Sequence, residues 1–185
     1  MGRNQCLHDR VSAAILDAAA IVLSERGNGA GMGEVAGRAG VSRATLYRYF
    51  PCRDDLLRAL VEAAVDDAQR RLMEADLDRV SVKEAIARLS RALVASGVHY
   101  SVVVAEGAHI DHAEVDRRLG ACIRSVFVRG VETGVLRSDL SAETLVRLFG
   151  GLLKVGIEMA TVDGLGVEQA SAAVTTLLLE GAARV

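Results

Sequence analysis

Residues 35–50 read Val35-Ala-Gly-Arg-Ala-Gly-Val-Ser-Arg-Ala-Thr-Leu-Tyr-Arg-Tyr-Phe50, and this stretch decides the fold of the N-terminal part of the chain. Val35, Ala36 and Ala39 fall on one side of a short helix that the pattern begins at about Met32. Gly40 then stands where a helix end needs a residue at ease in the left-handed conformation. Ser42 is placed to cap a second short helix, Leu46 and Phe50 face inward from it, and Pro51 stops it. Two helices this short can cross closely only when the facing residues are small, which Ala36, Ala39 and Gly40 provide. The result is a helix-turn-helix, a shape that lays its second helix in a DNA major groove. Arg43, in the first turn of that helix, can bond bidentately to guanine, while Thr45 and Tyr47 offer hydroxyls to phosphate oxygens and Arg48 and Arg53 bring charge to the flanks.

Working outward, the periodic residues Val11, Ile15, Ala18, Ala19 and Val22 predict a helix from about Arg10 to Arg26, ended by Gly27-Asn28-Gly29. A fourth helix opens at about Arg53 with Asp54 and Asp55 in its first turn and an apolar stripe running through Leu56, Leu57 and Leu60 to Leu72. Charge follows the same division. Residues 1–53 carry seven arginines against four acidic residues, a net +3, and the remainder carries −5. From Val35 to Arg53 there are four arginines, Arg38, Arg43, Arg48 and Arg53, and no acid, the local field that a polyanion requires; a solvated basic face is the alternative reading of the charge alone.

The run from Ile15 to Leu57 closely resembles the N-terminal domain of the tetracycline-repressor (TetR) family. The matching residues are Ile15, Leu16, Ala18, Ala19, Glu25, Arg26 and Gly27, then Val35-Ala36 and Arg38-Ala39-Gly40-Val41-Ser42, then Thr45-Leu46-Tyr47, Phe50-Pro51 and Asp55-Leu56-Leu57. The resemblance implies a homodimer that places its recognition helices, Ser42 to Tyr49, in successive major grooves of a palindromic double-stranded operator. It also implies a small-molecule effector in the C-terminal domain that swings the fourth helix, and hence most often a repressor, with an activator the outcome if the operator lies elsewhere. Family-like roles fall on Arg43, Ala44 and Arg48 for base edges, and on Ser42, Thr45, Tyr47, Tyr49 and Arg53 for the backbone. Two positions depart from the pattern. Gly31 replaces the usual Thr or Ser at the start of the second helix, leaving only its backbone amide for a phosphate. Cys52 replaces the usual Ser or Thr cap of the fourth helix, and beside Arg53 it is a candidate redox-sensitive thiol. These departures keep a second reading open, a helix-turn-helix-derived protein-interaction module without specific DNA binding.

The domain boundary is drawn at Arg53, with residues 1–53 binding DNA and 54–185 regulating and dimerising. Beyond the fourth helix the sequence predicts helices from the capping box Ser81-Val-Lys-Glu84 to about Ser96, closed by Gly97, from about Ala113 to Thr133, from Ser141 to about Thr161, and from about Val167 to Ala183. A less regular stretch lies at Tyr100–Asp111. With no strand alternation, the fold class is all-α: a three-helix DNA-binding domain followed by a larger helical domain for ligand binding and dimerisation. The last two helices are apolar on more than one side, which suggests burial against a second subunit through Leu145, Leu148, Phe149, Leu152, Val174, Leu177 and Leu178, with Gly150, Gly151 and Gly156 allowing close approach. Burial inside a monomer is the competing reading. Candidate effector-pocket residues are Tyr100, Val103, Cys122, Phe127, Phe149 and Met159, a mostly apolar set suited to a hydrophobic or amphipathic molecule.

Several classes are not indicated. Glu106, His109 and His112, beside Asp111, have metal-ligand chemistry, but their spacing of three drifts around a helix, so no metal is assigned. No GxSxG, phosphate-binding glycine loop, HExxH or recognisable triad occurs, so the chain is read as a regulator without catalytic residues and without a cofactor. Cys6, Cys52 and Cys122 are odd in number and widely spaced, which fits a reducing cytoplasm, and no window is apolar enough for a membrane span.

Overall fold

The computed structural model describes residues 3–26, 29–100 and 111–182, and the described chain is helical with short connections and no strand. In chain order the helices are α1 (Arg3–Arg26), α2 (Met32–Arg38), α3 (Arg43–Tyr49), α4 (Arg53–Glu74), α5 (Val82–His99), α6 (His112–Val115), α7 (Ala121–Glu132), α8 (Ala142–Thr161) and α9 (Val167–Ala182). A 3₁₀ turn at Leu77–Arg79 precedes α5, and a π-helical turn at Asp116–Gly120 joins α6 to α7.

Two differences from the sequence reading concern helix ends. α1 begins at Arg3 instead of Arg10, because residues 4–9 contain no glycine or proline to interrupt propagation. α5 runs through Gly97 to His99, and Gly97 serves packing: a β-carbon there would collide with Cδ1 of Ile157 on α8. Other ends fall as expected. Ser141 caps α8 by accepting the Thr144 N–H, and Ser81 accepts the Glu84 N–H at 3.3 Å at the start of α5.

The chain divides into two compact units, Met1–Ala64 with His99–Ile110 and Val65–Val98 with Asp111–Val185. The division falls within α4, where its apolar stripe passes from one core to the other. Leu56, Leu57 and Leu60 close the first core with Ile15, Ala19 and Leu23 of α1, Val35 and Ala36 of α2, and Leu46 and Phe50. Val65, Ala68 and Leu72 enter the second with Ile86 and Leu89 of α5, Phe127 of α7, Leu145 and Phe149 of α8, and Val174 and Leu178 of α9. Polar ties supplement this second core. Arg118 of the π turn donates to Oε1 of Gln69 on α4 at 2.8 Å and pairs with Asp66, while Asp67 accepts from Arg71 at 2.7 Å.

The α2–α3 turn carries a local constraint that fixes the helix-turn-helix. Gly40 has φ +67°, its N–H donates to the Gly37 carbonyl at 3.2 Å, and the Val41 N–H reaches the Ala36 carbonyl at 3.0 Å. These two bonds form a Schellman closure, and they oblige residue 40 to be left-handed. Apart from its own chain neighbours, no atom of the described residues lies within 4 Å of the β-carbon that alanine would add, so backbone strain sets its effect. Gly40→Ala is therefore expected to destabilise the first unit by about 1–2 kcal/mol, measured by denaturant unfolding, and an unchanged midpoint would contradict the turn geometry.

Candidate nucleic-acid interface

α3 is anchored by one fully buried side chain, holds Thr45 and Tyr49 half-buried and displays the rest. Leu46 is fully buried, and Phe50 follows it into the core. Arg43, Ala44, Tyr47 and Arg48 are exposed, with Tyr47 45% accessible although its ring is large and apolar. At the helix start the Ser42 hydroxyl oxygen accepts the Thr45 N–H at 3.0 Å and lies 2.9 Å from the Thr45 hydroxyl. Both hydroxyls are thus engaged in the cap while remaining at the surface.

The arginines of this unit separate into two groups. Arg26 pairs with Glu34 at 3.0 Å, Arg38 faces Glu25 at 3.6 Å, and an Nη1 of Arg53 donates to the Ala30 carbonyl. These three tie α1, the loop before α2 and the start of α4 together. Arg53 is only partly accessible, so its first role in the free protein is to hold the Ala30 loop. Arg43 and Arg48, by contrast, have no carboxylate within ion-pair distance among the described residues; Arg48 lies 5.6 Å from the centroid of the Tyr49 ring. Two unneutralised guanidinium groups therefore stand on the exposed face of α3, where a polyanion would gain most from them.

Gly31 is the N-cap of α2, and its N–H donates to Oε2 of Glu34 at 3.0 Å, while the same carboxylate pairs with Arg26. The amide assigned to a phosphate is already bonded within the chain, because Glu34 sits three residues on and reaches back as the acidic half of a capping box does. Tyr49 is half-buried, with its ring 4.4 Å from that of His8. His8 is a residue that the sequence reading missed: only the extension of α1 to Arg3 brings it to α3, and periodicity gave no sign of that extension.

At the start of α4 the Cys52 thiol donates to Oδ2 of Asp55 at 3.1 Å. That bond holds the Asp55 carboxyl below its usual range against the opposing effect of desolvation, with Arg58 also favouring the ionised form. The thiol thus bonds the Asp55 carboxylate in place of the backbone N–H that a hydroxyl cap would accept, while the Cys52 carbonyl accepts the Leu56 N–H at 3.3 Å as the first bond of α4.

In the second unit the structure redistributes the residues assigned to pocket and interface. Phe127 and Phe149 are fully buried with their ring centroids 5.4 Å apart, which makes them core. Tyr100 belongs to the first unit, where it packs against that core and lies edge-on to His99. Cys122 and Met159 are half-buried, and burial, with the Asp78 charge, pushes the Cys122 thiol above its ordinary range. Val103, Glu106 and His109 lie outside the described residues. Of the interface set, Leu145, Phe149, Val174 and Leu178 are buried by their own chain, since α8 and α9 turn those residues toward α5 and α7. Gly156 likewise meets Val174, 2.6 Å from where its β-carbon would be, and not a partner. Leu148 and Leu177 remain 53% and 61% exposed, Leu152 is half-buried, and Val155 joins them at 53%.

Comparison with known proteins places this arrangement. Residues 15–60 match the model of the bacterial regulatory proteins of the tetR family. The chain is 30% identical to the HTH-type transcriptional repressor LfrR of Mycolicibacterium smegmatis over 94% of this chain and 90% of that one. It is 29% identical to the HTH-type transcriptional regulator LuxR of Vibrio harveyi over 75% and 73% of the two chains. The crystal structure of LfrR from Mycobacterium smegmatis in complex with proflavine superposes with a TM-score of 0.75 at 29% identity, covering 95% of this chain and 99% of that one. These relatives are regulators of transcription, which disfavours the reading as an interaction module without DNA. With a buried Leu46 beneath an exposed, cationic α3 and a whole-length relative of this kind, the chain belongs to the tetR family of bacterial regulatory proteins and is a helix-turn-helix DNA-binding transcriptional regulator.

Proposed function

We propose that the protein is a cytoplasmic, effector-responsive repressor that binds a palindromic operator as a homodimer, with Arg43 and Arg48 of each α3 directed at base edges and with Ser42, Thr45, Tyr47 and Tyr49 at the sugar-phosphate backbone. The observation that carries this reading is the pair of unneutralised arginines on the exposed face of α3. A guanidinium that already held a carboxylate would lose that bond on reaching a base, whereas Arg43 and Arg48 have none to lose. Tyr49, its ring tilted against that of His8, and Arg53, bound to Ala30, also fix α3 and the neighbouring loop.

Dimerisation rests on the exposed apolar residues of the last two helices. Leu148, Leu152 and Val155 recur along α8 at helical spacing, Leu177 is exposed on α9, and the β-carbon position of Gly151 is open. Large leucines on two adjacent helices are costly to leave in water and suit an isologous four-helix contact. The effector is a small molecule bound in the second unit, with Cys122 and Met159 as candidate wall residues. LfrR, whose crystal structure holds proflavine, supports that class of partner. Among the described residues no helix is long and apolar enough to cross a membrane.

Leu148→Asp combined with Leu177→Asp tests the assembly. Both positions are exposed, so each chain should keep its helicity while sedimenting as a monomer and losing most operator affinity, because two half-sites no longer act together. A variant that still sediments as a dimer would remove these two residues from the interface.

A further inference from the structure

The first turn of α2 contains a second position that bears on sequence reading. A β-carbon built on Gly33 would lie 3.1 Å from each of three atoms of the Arg43 side chain, Nε, Cζ and Nη2. A point equally distant from three bonded atoms of a planar group lies over its face, not at its edge. The Arg43 guanidinium thus turns its face toward residue 33 of α2, where the missing β-carbon leaves it room. Arginine stacks readily by its face and makes all its hydrogen bonds in its plane, so this seat leaves the N–H edge free while limiting the directions it can take. Among the described residues no hydrogen bond or ion pair competes for the group.

We propose that Gly33 is a positioning residue for operator specificity, acting through Arg43 by giving its guanidinium a seat on the first turn of α2. The proposal rests on the reading of Arg43 as a base-contacting residue. Bidentate recognition of guanine requires both N–H groups to arrive in the plane of the base pair, so a displacement of a few tenths of an ångström at the face is carried to the bonding edge. Arg43 is a long, exposed side chain and will yield to an added methyl before either backbone does. The consequence is an altered approach to the base with α2 and α3 unchanged.

Gly33→Ala is suited to the test because alanine favours helix over glycine, so the variant should fold at least as well as the parent. Full-length wild-type protein, Gly33→Ala, Arg43→Ala and the double variant would be titrated against the best-bound genomic duplex and against duplexes altered at one base pair at a time. Thermal melting of each protein would run beside it. Arg43→Ala should flatten the preference at one pair in each half-site. Gly33→Ala should reduce preference at that same pair by about three- to tenfold, and should add nothing once Arg43 is absent. A preference in Gly33→Ala identical to wild type, an equal loss on every duplex, or an effect that persists without Arg43 would each overturn the proposal while leaving the functional reading intact. Absence of any preference in the wild-type protein would overturn both.

Discussion

Arg43→Ala is expected to relax operator specificity at one base pair in each half-site, at a cost of about 1–3 kcal/mol per half-site and about twice that for a dimer engaging both. The size follows from three circumstances. Arg43 lies in the first turn of α3, where a recognition helix meets base edges. Its guanidinium has no bonded partner among the described residues, so binding breaks nothing in the protein. Its removal leaves guanine's two acceptors facing a gap that only water can fill. Arg38→Ala is the natural control: Arg38 is also an exposed arginine of this domain, but it faces Glu25 across α1 and α2, and its loss should leave base preference unchanged. Competition binding on singly substituted duplexes reads both effects, and an Arg43→Ala protein with the wild-type preference would remove Arg43 from base recognition.

The second large effect is on stability. Phe149→Ala should destabilise the protein by about 3–5 kcal/mol, because the residue is fully buried and its neighbour Phe127 would face a cavity. For a chain of this size that corresponds to a fall of about 6–20 °C in melting temperature. The measurement also separates core from interface. A residue buried by its own chain loses the same free energy at any protein concentration, whereas a residue buried by a partner costs an amount that depends on concentration. A loss below about 1 kcal/mol, or one that vanishes on dilution, would return Phe149 to the interface or pocket wall.

These two residues mark what was legible in the sequence. The α2–turn–α3 segment could be read almost completely, because each of its determinants is local: a left-handed glycine at Gly40, a hydroxyl cap at Ser42, an inward Leu46 and a proline after Phe50. Phe149 could not, since helical periodicity reports that a face is apolar and is silent on what covers it. α8 is apolar on several sides; its own unit covers Leu145 and Phe149, while Leu148 and Val155 remain exposed. Gly97 was misread for a related reason. A glycine near a helix end looks like a stop until a neighbouring helix is seen to need its missing β-carbon.

Gly31 shows a different limit. The departure from Thr or Ser suggested that its amide was left for DNA, yet Glu34, visible three residues later, claims it. A capping box usually pairs its acid with a hydroxyl residue, and a glycine in that place hides the pattern. His8 and the start of α1 were not recoverable from pattern, since residues 4–9 carry little apolar periodicity and the contact of the His8 ring with Tyr49 is made across elements.

The central claim is sequence-specific binding of DNA by a dimer through α3. It is tested most directly by selecting genomic fragments with the purified full-length protein and footprinting the best fragment across a salt series. The expected result is protection of a palindrome whose half-sites are about one helical turn apart, on one face of the duplex, with affinity falling steeply as salt rises. Salt-dependent binding with no preferred site, or no binding at any salt concentration, would contradict it.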